Sequence, residues 1–311
     1  MSGELSARLE AELATPAPAE VTALAAALAD PARDAAILYY GSTLRTGDLT
    51  GILDFYRLTA GPHRRGLHGL AERFLWPEIS YHEVQVGSRT LRAKVATLPL
   101  ATFRKAAEGR SLDTTIWARF VQPTQLVWRA DDAVARAAAE ACAAAVVTAA
   151  RYAAKFGPQQ GPANAFWLAL FRRTYAAEFR METTDRADTV LASAEARYAD
   201  LLPLAWQVGG VPFETTGEGL RPRRQGLPGW MLPNLMGKPL NVARILKAAF
   251  TFDGAARYAA YKVERHTGIE IAVTPFRERH PFLGAPGAWL ELQKRRREVA
   301  RAGASKGRSR S

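Results

Sequence analysis

The sequence predicts an α+β fold, with an N-terminal mixed sheet flanked by helices and a mainly helical C-terminal region. Short apolar runs bounded by Gly and Pro, typical of strands, occur before residue 130. Beyond that residue, an alanine-rich stretch and segments with apolar residues at helical spacing predict helices. We therefore expect two domains, 1–130 and 131–293, followed by a basic, disordered tail over 294–311.

The predicted elements follow one another closely along the chain. One or two helices over 3–30 precede the strands, which are predicted over 37–40, 52–58, 79–86, 90–98 and 125–128. Helices are predicted over 61–74, 100–109, 112–120, 131–156, 163–181, 184–202, 238–250, 254–266 and 291–301. Residues 206–237 contain several Gly and Pro residues and are predicted to form a long loop.

The charge and cysteine content of the chain limit the kinds of partner and the cellular compartment that we expect for it. The formal net charge is +12 and the pI is near 10.1, which favours a polyanionic partner such as nucleic acid, an anionic membrane or a phosphorylated substrate. The single cysteine, Cys142, excludes an intramolecular disulfide and indicates a reducing compartment. No run approaches the roughly 18 uncharged apolar residues of a membrane-spanning helix. The acidic N-terminus fits no targeting signal, so we expect a cytoplasmic protein.

Residues 37–58 contain the pattern that predicts a site. Two predicted strands flank a connection that carries Gly41-Ser42, and Asp54 lies within the second strand among apolar neighbours. Gly41 lets the backbone approach a phosphate, Ser42 offers N–H and hydroxyl donors, and a carboxylate can hold Mg²⁺ beside substrate phosphates. The pattern predicts a nucleotidyltransferase-like site, and the plainer alternative is a hairpin with a stray Asp.

Two charged residues on later strands are candidates for the same site. Glu83 and Lys94 would lie close to each other and to Asp54 if their strands are neighbours in the sheet. The alternative is a solvated cross-strand pair, which stabilises a sheet without any catalytic role.

Two predicted helices near the C-terminus carry basic stripes. The first stripe includes Arg244 and Lys247, and the second includes Arg257 and Arg265. Such stripes either bind a polyanion or form the exposed face of a helix. The sequence has no Walker loop, no Rossmann glycine fingerprint and no metal-ligand spacing of Cys and His, which excludes those classes of site.

Five stretches match a set of motifs in a fixed order. They are Tyr40-Gly41-Ser42 with Ile52-Leu53-Asp54-Phe55, then Arg92–Thr97, Ile116–Pro123, Tyr175–Met181 and Arg244–Thr251. Together they resemble the phosphatidate cytidylyltransferases of the mitochondrial translocator-assembly-and-maintenance type, a family with bacterial relatives. A solitary Asp on the second strand is normal in that family. Gln122 departs from it, because the family has a Lys before the proline.

The resemblance implies a Mg²⁺-dependent enzyme that makes CDP-diacylglycerol and pyrophosphate from CTP and phosphatidic acid. The residues expected to act in catalysis are Asp54, Glu83 and Lys94, of which Asp54 and Glu83 would hold Mg²⁺. Those expected to contact nucleotide or lipid phosphates are Gly41, Ser42, Lys94, Arg119, Arg244 and Lys247. Expected partners are CTP, phosphatidic acid and an anionic membrane surface, on the cytoplasmic face of a bacterial inner membrane, with no nucleic acid.

Two other functions fit the same residues. A nucleotidyltransferase with a nucleic acid or a small alcohol as acceptor is compatible with the basic charge, although aromatic residues suited to base stacking are sparse in the basic stripes. A non-catalytic basic module that binds membranes or RNA is the other alternative. It is favoured by the lack of the second acidic residue that the commonest nucleotidyltransferase pattern has on this strand.

Overall fold

A computed structural model describes residues 2–61, 75–112, 114–177, 185–280 and 283–295. Its strands are β1 (Asp34–Tyr40), β2 (Ile52–Thr59), β3 (Glu78–Val86), β4 (Arg89–Pro99), β5 (Thr124–Arg129), β6 (Phe213–Thr216) and β7 (Gly219–Pro222). The first seven helices are α1 (Ser2–Leu13), α2 (Ala19–Leu28), α3 (Ser42–Thr46), α4 (Leu100–Ala107), α5 (Trp117–Phe120), α6 (Asp132–Phe156) and α7 (Ala163–Ala177). The remaining helices are α8 (Asp185–Ala192), α9 (Glu195–Val208), α10 (Met231–Thr251), α11 (Ala255–Thr267), α12 (Pro275–Arg279) and α13 (283–295). The predicted α+β class is confirmed.

A five-stranded mixed sheet forms the centre of the fold, with the order β3-β4-β2-β1-β5. Strands β2 and β4 are parallel, and the other neighbouring pairs are antiparallel. Strand β4 therefore lies between β3 and β2, so that residues of β3 are two strands away from β2. A separate hairpin, β6–β7, lies in the C-terminal half.

The two faces of the sheet are covered by different helices, as the alternation of apolar residues requires. Tyr39 and Phe55 point to the face that α2 covers, where they share a core with Val21. Leu38 and Tyr56 point to the other face and belong to the larger core. That core contains residues of the sheet and of the helices after residue 130, because α6 packs directly over the sheet.

Helix α6 is the centre of the helical layer. Asp131 caps its N-terminus by accepting a hydrogen bond from the N–H of Val134 at 2.7 Å. The helix packs against α1, α4, α5, α7 and α9. Among the described helices it alone is long and apolar enough to cross a membrane, and half of its apolar stretch is buried inside the fold, as in any core helix.

The C-terminal helices return to the edge of the sheet. The N–H of Tyr81 in β3 donates to the carbonyl of Asp253, in the corner between α10 and α11, at 2.8 Å. Gly254 follows with a φ of +77°, and a Cβ there would lie 2.5 Å from the carbonyl oxygen of Tyr81. The ring of Tyr258 meets that of Tyr81 edge to face, with centroids 5.5 Å apart. This contact fixes α11 beside the sheet.

Some predicted elements differ from the structure. The helix predicted over 184–202 is two helices, α8 and α9, and α9 continues through Pro203. The loop predicted over 206–237 contains the hairpin β6–β7 and the first residues of α10. Four-residue strands are too short to show a period, and Pro239 inside α10 is a residue that normally ends a helix. Most of the helix predicted over 61–74 lies outside the described residues, as does the tail from 296.

Candidate active site

A cleft of about 820 Å³ opens at one end of the sheet, between the strands β1, β2 and β4 and the helices α10 and α11. Asp54 lies at its floor, on β2. The residue opposite Asp54 on β1 is Tyr40, and the residue opposite it on β4 is Lys94. These three residues form a row across the sheet, and all three side chains line the cleft.

Strand alternation explains why Asp54 faces the cleft. Its neighbours Leu53 and Phe55 point to the opposite face, into the core under α2. Tyr56 shares the larger core with the helical layer, which covers it. Burial raises the pKa of the Asp54 carboxyl above its ordinary value, and the charges of Lys94 and other nearby cations oppose that rise.

Gly41 brings the backbone against this carboxylate. Its φ of +96° is a conformation that favours glycine, and a Cβ at this position would lie 3.0 Å from Oδ2 of Asp54. Ser42 follows as the first residue of α3 and also lines the cleft. The glycine-serine turn and the strand carboxylate that the sequence pattern pairs are therefore in contact in the structure.

The cleft is strongly basic. Among the described residues that line it, the acidic ones are Asp48 and Asp54. The basic ones are Arg45, Lys94, Arg119, Arg186, Lys262 and Arg265. The carboxylate of Asp48 accepts hydrogen bonds from the N–H and the hydroxyl of Thr50, at 2.8 and 2.6 Å. Six cations against two carboxylates create a field that attracts a polyanion.

Two arginines of the cleft are held by polar side chains of the floor. Nη1 of Arg119 donates to the hydroxyl of Tyr56 at 2.8 Å, and the guanidinium lies 5.7 Å from the ring centre of Tyr40. Nη1 of Arg45 donates to Oε1 of Gln122 at 3.3 Å. Burial lowers the pKa of Arg45, and the charge of Arg186 lowers it further. An anion bound between the guanidinium groups of Arg45 and Arg186 would reduce the repulsion between these two positive charges.

Helix α11 contributes the rim of the cleft. The hydroxyl of Tyr261 donates to the carbonyl of Thr50 at 3.2 Å, and Nη1 of Arg265 donates to that hydroxyl at 3.4 Å. The guanidinium of Arg92, on β4, lies 4.4 Å from the centre of the Tyr261 ring. These contacts hold Lys262, the next residue, at the cleft, where its charge acts on Asp54.

The structure does not bring Glu83 to the site. Glu83 is opposite Arg92 on β4, two residues along that strand from Lys94, and it does not line the cleft. Strand spacing and rise place its Cα roughly 12 Å from that of Asp54. The Glu83 carboxylate accepts hydrogen bonds from the hydroxyl of Tyr81 at 2.9 Å and from Nε of Arg92 at 3.3 Å. The predicted pair of metal ligands, Asp54 and Glu83, is therefore separated. Glu83 does form a cross-strand pair, but its partner is Arg92 and not Lys94 as the alternative supposed.

Arg244 and Lys247 do not line the cleft either. Nη1 of Arg244 donates to Oγ1 of Thr115 at 3.2 Å, and its guanidinium lies 4.5 Å from the centre of the Trp76 ring. Nζ of Lys247 donates to the carbonyl of Leu75 at 3.0 Å. These contacts attach α10 to the segment before β3 and to Thr115. Thr115 itself lines the cleft, so Arg244 lies directly behind the cleft wall, and the contact of these two residues with a lipid phosphate stays a prediction. Glu178 and Arg180, of the fourth motif, lie outside the described residues.

The fit of a Mg²⁺ ion can be judged from the donors at the cleft. In the described part of the chain, no three His, Cys, Asp or Glu residues cluster as a metal site would need. Mg²⁺ in nucleotide enzymes is commonly held by one or two carboxylates together with substrate phosphates and water. Asp54, with Ser42 beside it, fits an ion that is bound jointly with a triphosphate, and does not form a complete metal site alone.

Four basic residues of the cleft were not among the predicted site residues: Arg45, Arg186, Lys262 and Arg265, of which only Arg265 belongs to the second basic stripe. Arg45 lies in the same glycine-rich connection as Ser42, so its position in that loop was an available signal. Lys262 follows Tyr261, a residue of the second predicted stripe, but helical spacing alone does not show which face meets the cleft. No local pattern marks Arg186.

Comparison with known proteins gives no family for this chain. Neither a scan against protein-family models nor a search of curated proteins finds a match. The chemistry of the cleft and the resemblance of the five sequence stretches are therefore what bears on the function.

Proposed function

We propose that this protein is a Mg²⁺-dependent nucleotidyltransferase that transfers the cytidylyl group of CTP to phosphatidic acid, giving CDP-diacylglycerol and pyrophosphate. The observation that carries the proposal is the contact between Gly41 and Asp54 at the floor of a cleft lined by six basic side chains. The five sequence stretches that resemble one family support the choice of CTP and phosphatidic acid.

The reaction needs little covalent chemistry from the protein. An oxygen of the acceptor phosphate forms a bond to the α-phosphorus of CTP, the bond from that phosphorus to the β-phosphate oxygen breaks, and pyrophosphate leaves. The acceptor oxygen is already anionic near neutral pH, so no general base has to remove a proton. The position of Glu83 outside the cleft is therefore compatible with this chemistry.

What the reaction does need is the alignment of two polyanions and the neutralisation of their charge. Arg119, oriented by Tyr56, and Lys94, beside Asp54, would bind phosphoryl oxygens from the floor of the cleft. Lys262 and Arg265 would do so from the rim. Cations at both the floor and the rim suit a reaction that brings two polyanions together at one phosphorus.

Asp54 and Ser42 are the residues that would hold a Mg²⁺ ion bound together with the triphosphate. When bound, the ion supplies charge neutralisation and polarisation of the phosphoryl oxygens. The N–H groups of the glycine-serine turn would contact the phosphates directly, because Gly41 has no side chain to keep them away.

The test is transfer of radioactive label from α-labelled CTP into an organic-soluble lipid, with Mg²⁺ and phosphatidic acid present. The wild-type chain is expected to form labelled CDP-diacylglycerol, and Asp54→Asn is expected to lower the rate about 100-fold or more. Parallel reactions contain other nucleotides, or glycerol or an RNA oligonucleotide as acceptor. They identify the transferred group and its acceptor.

Asp132→Asn is the matched control, because it makes the same change at an exposed carboxylate at the start of α6. It is expected to retain wild-type transfer. Activity of Asp54→Asn equal to that of this control would refute the role of the cleft. Label found in RNA or glycerol instead of lipid would show that the acceptor is not phosphatidic acid. Glu83→Gln is a separate test of the role predicted from the sequence, and the structure leads us to expect that it keeps most of the activity.

A further inference from the structure

Helix α10 carries a row of exposed apolar side chains. They are Met231, Leu235, Val242, Ile245 and Leu246, with exposed fractions from 49% to 83%. At 3.6 residues per turn, these five positions fall within about 100° of the helix circumference and extend over about 22 Å of its length. We call this row the apolar stripe. It extends over four turns, with Lys238 between Leu235 and Val242, whereas single exposed apolar residues on a protein surface are ordinary.

The opposite side of α10 explains why the stripe is exposed. Arg244 and Lys247 project there and bind Thr115 and the carbonyl of Leu75, and Arg244 also lies over Trp76. These contacts orient the helix, so that the apolar stripe faces away from the segment to which α10 is attached. Charged groups thus share the inner side with Leu240 while a row of apolar groups faces outwards, unlike the usual arrangement in a water-soluble protein.

The stripe leads into the candidate active site. Ile245 belongs to the stripe and also lines the cleft. Asn241, one turn before Ile245 and outside the stripe, lines the cleft as well. A molecule with its phosphate among the cations of the cleft would therefore have an apolar surface next to it. This juxtaposition fits an amphiphile whose charged and apolar parts are adjacent, such as a phospholipid.

We propose that the apolar stripe of α10 lies in the interfacial layer of an anionic bilayer, so that the cleft opens towards the lipid head groups. The proposal deepens the proposed function, on which it rests for the identity of the lipid substrate alone. The stripe, the cations near it and the net charge of +12 all favour binding to the bilayer surface.

Lys238 favours a bilayer over a protein partner. It is exposed, and at 3.6 residues per turn it falls within the angular range of the stripe. Another protein packed on the stripe would bury this ammonium group, which is costly without a partner charge. At a bilayer, the apolar stem lies along the stripe and the charge reaches an anionic head group. The five side chains that the structure describes in the stripe are also few beside the roughly 20–30 residues that each partner gives to a stable protein interface.

The test is flotation with phosphatidylcholine vesicles, alone or mixed with phosphatidic acid or with phosphatidylserine. The phosphatidylserine arm separates attraction to surface charge from recognition of the proposed substrate. We expect the wild-type chain to float with both anionic mixtures. Val242→Ser with Leu246→Ser is expected to weaken partitioning about tenfold, since two apolar side chains leave the interface without any change of charge.

Ala133→Ser with Val208→Ser is the matched control, because both positions are exposed on helices away from α10. It is expected to float like the wild type. Equal flotation of the stripe variant and this control would overturn the proposal. A dimer in sedimentation that the stripe variant dissociates, with flotation unchanged, would also overturn it and assign the stripe to a second copy of the chain.

A soluble acceptor separates this proposal from the proposed function. With a short-chain phosphatidic acid below its micelle concentration, the stripe variant is expected to transfer the cytidylyl group at the wild-type rate. Loss of that activity in a folded variant would show that the stripe takes part in the transfer reaction itself, and would overturn its role in docking to the bilayer. The wild type could transfer nothing to any acceptor and still float with vesicles in a way that the stripe variant abolishes. That result would support the docking surface and refute the proposed enzymatic function.

Discussion

Gly41 is the residue at which backbone conformation and site chemistry meet. Its φ of +96° is one reason why this position requires glycine. A second reason is that an added Cβ would lie only 3.0 Å from Oδ2 of Asp54. Gly47, at the other end of α3, also has a positive φ, but no side chain that the structure describes lies close to its Cβ position. Its φ is +70°, and a Cβ there would meet nothing within 4 Å. The two backbones also differ, because the ψ of Gly41 is −158°, in a region open almost only to glycine, while the ψ of Gly47 is 4°, in the left-handed helical region.

Gly41→Ala and Gly47→Ala are both expected to lower the free energy of unfolding, because each forces Ala to a positive φ. The loss is expected to be about 1 kcal/mol at Gly47, in the left-handed helical region, and up to about 3 kcal/mol at Gly41, whose φ and ψ are open almost only to glycine. Only Gly41→Ala is expected to lower nucleotidyl transfer, by about tenfold or more, since Asp54 has to move away from the new methyl group. Urea unfolding and the transfer assay measure the two effects. Equal loss of activity in both variants would show that strain in α3, rather than the contact with Asp54, controls the site.

At the scale of elements, the cleft depends on the docking of α11 against the edge strand β3. That docking passes through the backbone of Tyr81, whose N–H reaches Asp253 and whose carbonyl lies against Gly254. It also covers part of an edge strand that would otherwise expose its hydrogen-bonding groups. The basic residues of α11 face the cleft only while this corner is in place.

Gly254→Ala is therefore expected to loosen α11, because its Cβ would lie 2.5 Å from a backbone oxygen that has little room to move. Amide hydrogen exchange at Tyr81 is expected to become faster, and the affinity for CTP to fall. Gly268→Ala, at the other end of α11, is the control. It has a φ of +68° but open space around the Cβ position. It is expected to leave exchange at Tyr81 unchanged, and equal acceleration in both variants would contradict the docking role.

At the scale of the whole molecule, one core joins the sheet to the helices of the C-terminal half. Cys142 lies in α6 at the centre of this core and is 1% exposed. Burial raises the pKa of its thiol to about 12. Since the thiolate is the reactive form, the native protein holds this group inert near neutral pH.

Alkylation of Cys142 by iodoacetamide at about pH 8 is therefore expected to follow global unfolding, because the chain has no other cysteine. Labelling should be negligible in the native state and should increase through the urea transition. Cys142→Ser combined with Ala133→Cys provides the reference, a thiol at an exposed position of the same helix. Native Cys142 that is labelled as fast as this reference would show that α6 opens locally, without unfolding of the core.

The sequence by itself determined the secondary structure of the sheet and the central contact of the site. Burial on a pleated strand has a period of two, so β3 and β4 could be recognised from local alternation. Strands β1 and β2 could be recognised as short apolar runs, and β1 is buried along nearly its whole length. A glycine-serine turn joined to a strand with one carboxylate is also local, since β1 and β2 are neighbours in sequence and in space. Helix α6 was equally clear, because alanine favours helix and Asp131 caps the start.

Only the tertiary structure decided which charges share the cleft. Glu83 and Lys94 lie on consecutive strands, but β4 inserts between β3 and β2, so Lys94 comes beside Asp54 and Glu83 does not. The stripe with Arg244 and Lys247 was visible as a pattern, yet a helical period gives the face and not what covers it. Arg186 and Lys262 join the site through packing of distant helices, which depends on the whole core and leaves no mark in the neighbouring sequence.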